Sequence, residues 1–317
     1  MQQTRRRPAG DITGGKIMVF YIVFYIAAFF LFYHLIDRIV KKNKKSEQGK
    51  QGQQNRQNTV IKKSAPRTVR YTTPGNGIWP LFEDALRQHH LLIAGKTGSG
   101  KSVVENGIID TLLHRLPFDK LGNAQMILID PKGNELYKYA KLPHTLVYAY
   151  QPEEMMDALQ YAMDLTAERF QVLRESGDDY YNGSDVYVFI DEFADLMTTQ
   201  GKTVKPLIQR LCQLGRAARV HVVICTQTPI AKVIPTEIKC NFDSRFGLRT
   251  RSAQDSRNII GKTGLELLPE YGEGYYMTPK EESYYQIPYV TKDEIRETIA
   301  WWYDQMQQNG LNPRKAA

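Results

Sequence analysis

The chain has 317 residues and a formal charge of +8, enough for one sizeable domain with appendages. That charge is +3 over residues 1–16, zero over 17–36, +9 over 37–70 and −4 over the rest, which excludes reading the basic balance as a nucleic-acid-binding face of the main domain. Three cysteines, Cys212, Cys225 and Cys240, are odd in number and lack metal-ligand spacing, so they read as free thiols in a reducing compartment, with Cys225 a small core residue.

After a short tail (1–16), residues 17–36 carry no Asp, Glu, Lys or Arg and are rich in Phe and Tyr. Twenty such residues suffice for a transmembrane helix. A signal peptide or a buried core helix are the alternatives, but no small-residue cleavage site follows and no amphipathic face is visible. Arg38, Lys41, Lys42, Lys44 and Lys45 outweigh Arg5, Arg6 and Arg7, which predicts a single-pass protein of the cell membrane with its C-terminal part cytoplasmic. Residues 37–70, rich in Lys, Gln, Asn, Gly and Ser, read as a flexible basic linker.

Residues 71–290 read as one α/β domain. Leu91–Ala94 is an apolar strand, and Gly95, Lys96, Thr97, Gly98, Ser99, Gly100, Lys101 and Ser102 satisfy G-x-x-x-x-G-K-[ST]. Apolar residues then recur at helical spacing from Val103 to Leu112. Strand, glycine loop and helix form the arrangement that cradles the phosphates of ATP, because glycines turn backbone N–H groups inward and the helix N-terminus adds positive charge. Lys101 would reach the β- and γ-phosphates and Ser102 would hold Mg²⁺. The alternative is a glycine-rich turn without a ligand.

Gln125–Asp130, Thr145–Tyr148 and Val220–Thr226 read as further strands, with a helix over Pro152–Glu175, so a mainly parallel sheet is expected. Asp185–Ile190 is an apolar strand ending in Asp191 and Glu192, the form of a Walker B element. Asp191 would organise Mg²⁺, and Glu192 would orient the attacking water. A simple helix cap before Phe193–Met197 is the alternative. Asp130, Asp191 and Thr226-Gln227 all fall at carboxyl ends of strands, where such folds bind ligands. Gln227 is a candidate γ-phosphate sensor, or else a turn residue before Pro229. Gly261-Lys262-Thr263 imitates a phosphate loop, but position 256 is Ser and no apolar strand leads into it.

These blocks together resemble the FtsK/SpoIIIE family of hexameric DNA-pumping ATPases, in the HerA–FtsK group of additional-strand RecA-like P-loop NTPases. The resemblance rests on His90–Ser102, Ile129–Lys132 with Glu135-Leu136 and Leu142–His144, Phe189–Met197, Gly215–Ala218 with His221 and Thr226-Gln227, and Ser244–Phe246 with Asp255–Arg257. It implies a homo-oligomeric ring, hexameric in that family, with ATP sites between subunits and an arginine supplied in trans. Such a finger is worth about three to five orders of magnitude in rate. Arg245 is the first candidate, with Arg257 and Arg216 behind it. Lys132 and Asp130 match the family without a role that the residues explain.

Thr291–Gln308 reads as one terminal helix within 291–317, with Ile295, Ile299, Trp302 and Met306 placed to dock on the domain. One span, a short linker and no sequence-reading module match a pared-down member of a mobile element. The expected function is a membrane-anchored DNA translocase or coupling ATPase for conjugative or plasmid transfer, working with DNA and with relaxase or transfer-channel proteins. Lys202, Lys205, Lys232 and Lys239 are candidate DNA-contacting loop residues. The alternative is a protein-secretion ATPase similar to type VII secretion motors.

Overall fold

A computed structural model describes residues 69–70, 79–115 and 124–310. The expected transmembrane helix and most of the linker lie outside the described residues. Among those described, no helix is long and apolar enough to cross a membrane.

The strands, in chain order, are β1 (Val69–Arg70), β2 (His90–Ala94), β3 (Ala124–Ile129), β4 (Thr145–Ala149), β5 (Asp185–Ile190), β6 (Val220–Thr226), β7 (Ser244–Gly247), β8 (Glu273–Met277) and β9 (Glu282–Gln286). They form one mixed sheet in the order β1-β9-β8-β7-β2-β6-β5-β3-β4. The run from β4 to β7 is parallel throughout. β7, β8 and β9 then pair antiparallel, and β1 closes the edge parallel to β9. The central strands β2 and β6 are buried along their whole length. Burial on both faces is why they read in sequence as unbroken apolar runs rather than as alternation. Val69 and Arg70, placed by composition in the linker, instead pair with Tyr284 and Tyr285 of β9.

Helices cover both faces. On one lie α3 (Pro152–Ser176), α4 (Phe193–Ala218), α5 (Thr236–Lys239) and α6 (Ala253–Ile260), packed on the residues of one core cluster. On the other lie α1 (Pro80–Leu86), α2 (Lys101–Arg115) and α7 (Lys292–Gln308). Helix α3 begins with Pro152 at its first turn and a capping box between Gln151 and Glu154, and ends on Gly177 at φ 76°. The expected terminal helix is α7, capped by Thr291 and Glu294, and it buries Ile295, Trp302 and Met306. Lys202 and Lys205, expected in a loop, lie on α4, which continues beyond a kink at Gln200 because Val204, Ile208 and Leu211 hold its second half on the core.

Candidate nucleotide site

The phosphate loop leaves the carboxyl end of β2, between its neighbours β6 and β7. The Gly95 N–H donates to the Thr226 carbonyl at 3.3 Å and the Lys96 N–H to the Arg249 carbonyl at 2.8 Å. Both strands therefore fix where the loop starts. A Cβ on Gly95 would stand 2.6 Å from Ser99 Oγ and 2.8 Å from Leu248 Cβ, so only glycine fits. Gly98 and Gly100 have φ of 75° and 97°, with nothing within 4 Å of where a side chain would begin. Their positive φ turns the backbone around an open hollow at the N-terminus of α2.

Lys101 is buried, and its ammonium donates to the Lys96 carbonyl at a long 3.3 Å. Burial pulls its pKa down, while the Glu192 and Asp191 carboxylates pull the other way. Ser99 Oγ is buried without a hydrogen-bond partner. A buried cation and a buried unpaired hydroxyl beside an inward-turned backbone are donors awaiting an anion, so the residues fit a nucleotide phosphate. Half-buried Ser102 opens the same helix.

Asp191 and Glu192 follow β5, one strand away from β2 because β6 intervenes. Asp191 titrates near 6, raised by burial and then by the Asp130, Glu135 and Glu192 carboxylates. A carboxylate in such a crowd favours a cation, which a metal ion brought in with a nucleotide would supply. Glu192 is the residue that precedes α4 and sits at φ 49°, ψ 64°, a left-handed conformation that costs a non-glycine residue about 1 kcal/mol or more. The turn directs its carboxyl toward the end of β6. There Oε1 accepts the Gln227 N–H at 3.0 Å and the Thr226 hydroxyl at 3.4 Å. Oε2 is buried with no hydrogen-bond partner.

Gln227 bridges the two motifs: its main chain holds Glu192, and its side-chain Oε1 accepts the Thr97 hydroxyl at 2.5 Å. The structure thus brings Thr97, Lys101, Ser102, Asp191, Glu192 and Gln227 to one end of the sheet. Asp130 has a constructional role. Its carboxylate accepts the N–H groups of Lys132, Gly133, Glu135 and Leu136 at 2.9–3.3 Å, which shapes the loop after β3. Sequence reasoning missed the Thr226 hydroxyl, although Thr226 was visible at the strand end. It also missed the Lys96–Glu270 ion pair at 2.8 Å, which no local pattern announces.

Arg245 requires a correction. Its half-buried guanidinium donates to the Phe242 and Ile259 carbonyls at 2.7 Å and to the Lys239 carbonyl at 3.3 Å. These include carbonyls at the ends of α5 and α6, which have no partner within their helices. Arg245 is thus committed to main-chain carbonyls of its own chain. Arg257 is exposed on α6. Arg216 is exposed at the far end of α4, beside His89 and His221 at the amino ends of the strands, opposite the phosphate loop. Gly261 closes α6 at φ 77° and Lys262 pairs with Glu282, so this second Gly-Lys pair is a helix end.

Known proteins agree with this geometry. The FtsK/SpoIIIE family profile matches residues 77–186 and 179–231. The DNA translocase FtsK of Rickettsia typhi is 34% identical over 260 residues, covering 68% of this chain and 35% of that protein. This chain thus spans about a third of the length of the curated relatives it matches. Among solved structures, the pCW3 conjugation coupling protein TcpA with ATPγS superposes with a TM-score of 0.59 at 26% identity, covering 69% of this chain and 66% of that one. The cytoplasmic domain of the Thermomonospora curvata type VII secretion ATPase EccC shares the fold, with a TM-score of 0.58 at 22% identity over 68% of this chain and 28% of that one.

Proposed function

The chain belongs to the FtsK/SpoIIIE family, and from that premise we propose that it is a ring-forming ATPase that moves DNA, anchored in the cell membrane by residues 17–36 and serving conjugative or plasmid transfer. The observation that carries the reading is the convergence of Lys101, Asp191, Glu192 and Gln227 on one hollow at the carboxyl ends of β2, β5 and β6. FtsK relatives support DNA as the substrate, and the likeness to a conjugation coupling protein supports the transfer role.

In this reading the backbone N–H groups of 98–102 and the Lys101 ammonium bind the β- and γ-phosphates. Ser102 and Asp191 would hold Mg²⁺, which would supply positive charge beside the phosphates. Glu192 orients the attacking water through the oxygen not committed to Thr226 and Gln227. The Gln227 side chain trades its bond with Thr97 for the γ-phosphate. Subunits form a closed ring, hexameric as in the family, in which exposed Arg257 is the arginine offered to the neighbour's γ-phosphate. The ATPase domain is cytoplasmic, and relaxase or transfer-channel proteins are its partners.

The test is ATP hydrolysis by the full chain in detergent or nanodiscs, without nucleic acid, with duplex DNA and with single strands, using Lys101→Ala as control. Stimulation by duplex supports translocation, and preference for single strands points to relaxase-linked transfer. Hydrolysis indifferent to both, by assembled rings, removes DNA and favours protein secretion.

A further inference from the structure

The strand-end loop after β3 carries a cation over the Walker B residues. Lys132 Nζ lies 3.7 Å from Glu192 Oε2 and 4.0 Å from Asp195 Oδ2. The loop does not drift into that position. Asp130 clamps it with four main-chain hydrogen bonds, and Gly133 turns it at φ 63°. The oxygen Lys132 approaches is the buried Oε2 that has no hydrogen-bond partner. The other oxygen of the same carboxylate is already fixed by Thr226 and Gln227. Glu192 therefore hangs between two supports, a neutral one on β6 and a cationic one on the loop after β3.

A carboxylate in this position needs the second support. Asp191 lies close enough to interact with Glu192, and two like-charged carboxyl groups side by side repel. A cation at 3.7 Å opposes that push and is worth more beside a buried oxygen than at the open surface. Lys132 itself is 42% exposed, so its stem is free to follow the carboxylate when nucleotide arrives.

Resting on the ATPase reading above, we infer that Lys132 is a positioning residue of the same subunit: it holds the Glu192 carboxylate over the attacking water, and it is not a phosphate-binding group.

Steady-state hydrolysis by the full chain tests this. In Lys132→Ala, kcat falls about tenfold or more, a fraction of what a general base contributes. KM for ATP and affinity for ADP stay within about twofold, because phosphate binding rests on Lys101 and the loop N–H groups. Lys132→Arg recovers most of kcat, since it restores the charge at the same loop position. In a Glu192→Gln background, Lys132→Ala has no further effect on single-turnover hydrolysis, because the two residues act as one unit. An unchanged kcat overturns the inference. So does a loss of nucleotide affinity at constant kcat, or an equal loss in the Glu192→Gln background. Absence of ATP hydrolysis by the wild-type chain defeats the ATPase reading instead, so the two failures are distinct.

Discussion

Lys101 is a buried ammonium with one long bond to a carbonyl, and Glu192 is a carboxylate held in a left-handed turn. Both cost the apo protein stability and gain their purpose only with a phosphate present. Lys101→Ala is expected to cut hydrolysis at least about a hundredfold, and Glu192→Gln by a similar or larger factor while ATPγS binding survives, as fluorescence titration would show. The arginines separate in the same way. Arg245→Ala strands main-chain carbonyls of its own subunit and should lower stability by about 1–3 kcal/mol in denaturant unfolding. Its hydrolysis per folded molecule should hold. Arg257→Ala should leave stability unchanged and abolish hydrolysis, and mixing it with Lys101→Ala subunits should restore part of it.

Glu105 presents the opposite problem. It is fully buried one turn beyond Ser102, near Asp191, and the Cys225 thiol is the neighbour placed to bond it. Burial, and then Asp191, drive its pKa well above the ordinary 4.5, so folding favours its protonated form. The folded state then binds a proton that the unfolded state releases above pH 4.5, and stability falls as pH rises through that window. Asp191, near 6, adds the same sign. Glu105→Leu should therefore raise Tm and flatten, without abolishing, the decline in stability as pH rises above about 4.5. An unchanged pH profile in thermal melts would contradict this account of the group.

At the scale of elements, α7 shows how a terminal segment becomes part of the domain. Trp302 is 1% exposed and meets the His144 ring edge-on at 4.3 Å between centroids. Trp302→Ala should cost about 3–5 kcal/mol, the usual loss for a buried aromatic. Neither His144 nitrogen has a hydrogen-bond partner, and burial lowers its pKa to about 4. The unfolded chain takes up this proton first as pH falls. Its contribution is intact above about 6.5 and is lost between about 6.5 and 4, and His144→Leu should remove that part of the acid limb.

The elements also show what could be read in advance. The strands β2, β3, β5 and β6 were legible because burial on both faces demands continuous apolar runs, and α7 because its apolar stripe is amphipathic. Ser244–Gly247 was not legible as β7: four residues with an arginine acquire strand form by pairing with β2 on one side and β8 on the other. The β8–β9 hairpin carried a signal that went unread, the repeated Tyr pairs Tyr275-Tyr276 and Tyr284-Tyr285 on either side of Thr278–Glu281. The nucleotide motifs were legible because their chemistry is local to a few residues. The support of Glu192 by Thr226, Gln227 and Lys132 was hidden because it joins three strands that only the sheet order brings together.

At the scale of the whole molecule, charge and chemistry are kept apart. The basic residues concentrate in 37–70, while the remainder beyond residue 70 is acidic overall, so the proposed DNA binding by this domain would rest on a few local basic residues rather than on a basic face. Of the four candidate lysines, Lys205 is paired with Glu237 at 3.5 Å, which leaves Lys202 on α4, Lys232, and Lys239 at the end of α5. Their joint replacement by alanine should lower DNA-stimulated hydrolysis severalfold and leave DNA-free hydrolysis unchanged. The measurement that tests the central claim most directly is displacement of a third strand from a DNA triplex by the full chain in nanodiscs. The account predicts release of the third strand that requires ATP and a duplex track and is absent in Lys101→Ala; ATP consumed at the wild-type rate with the third strand left in place would contradict it.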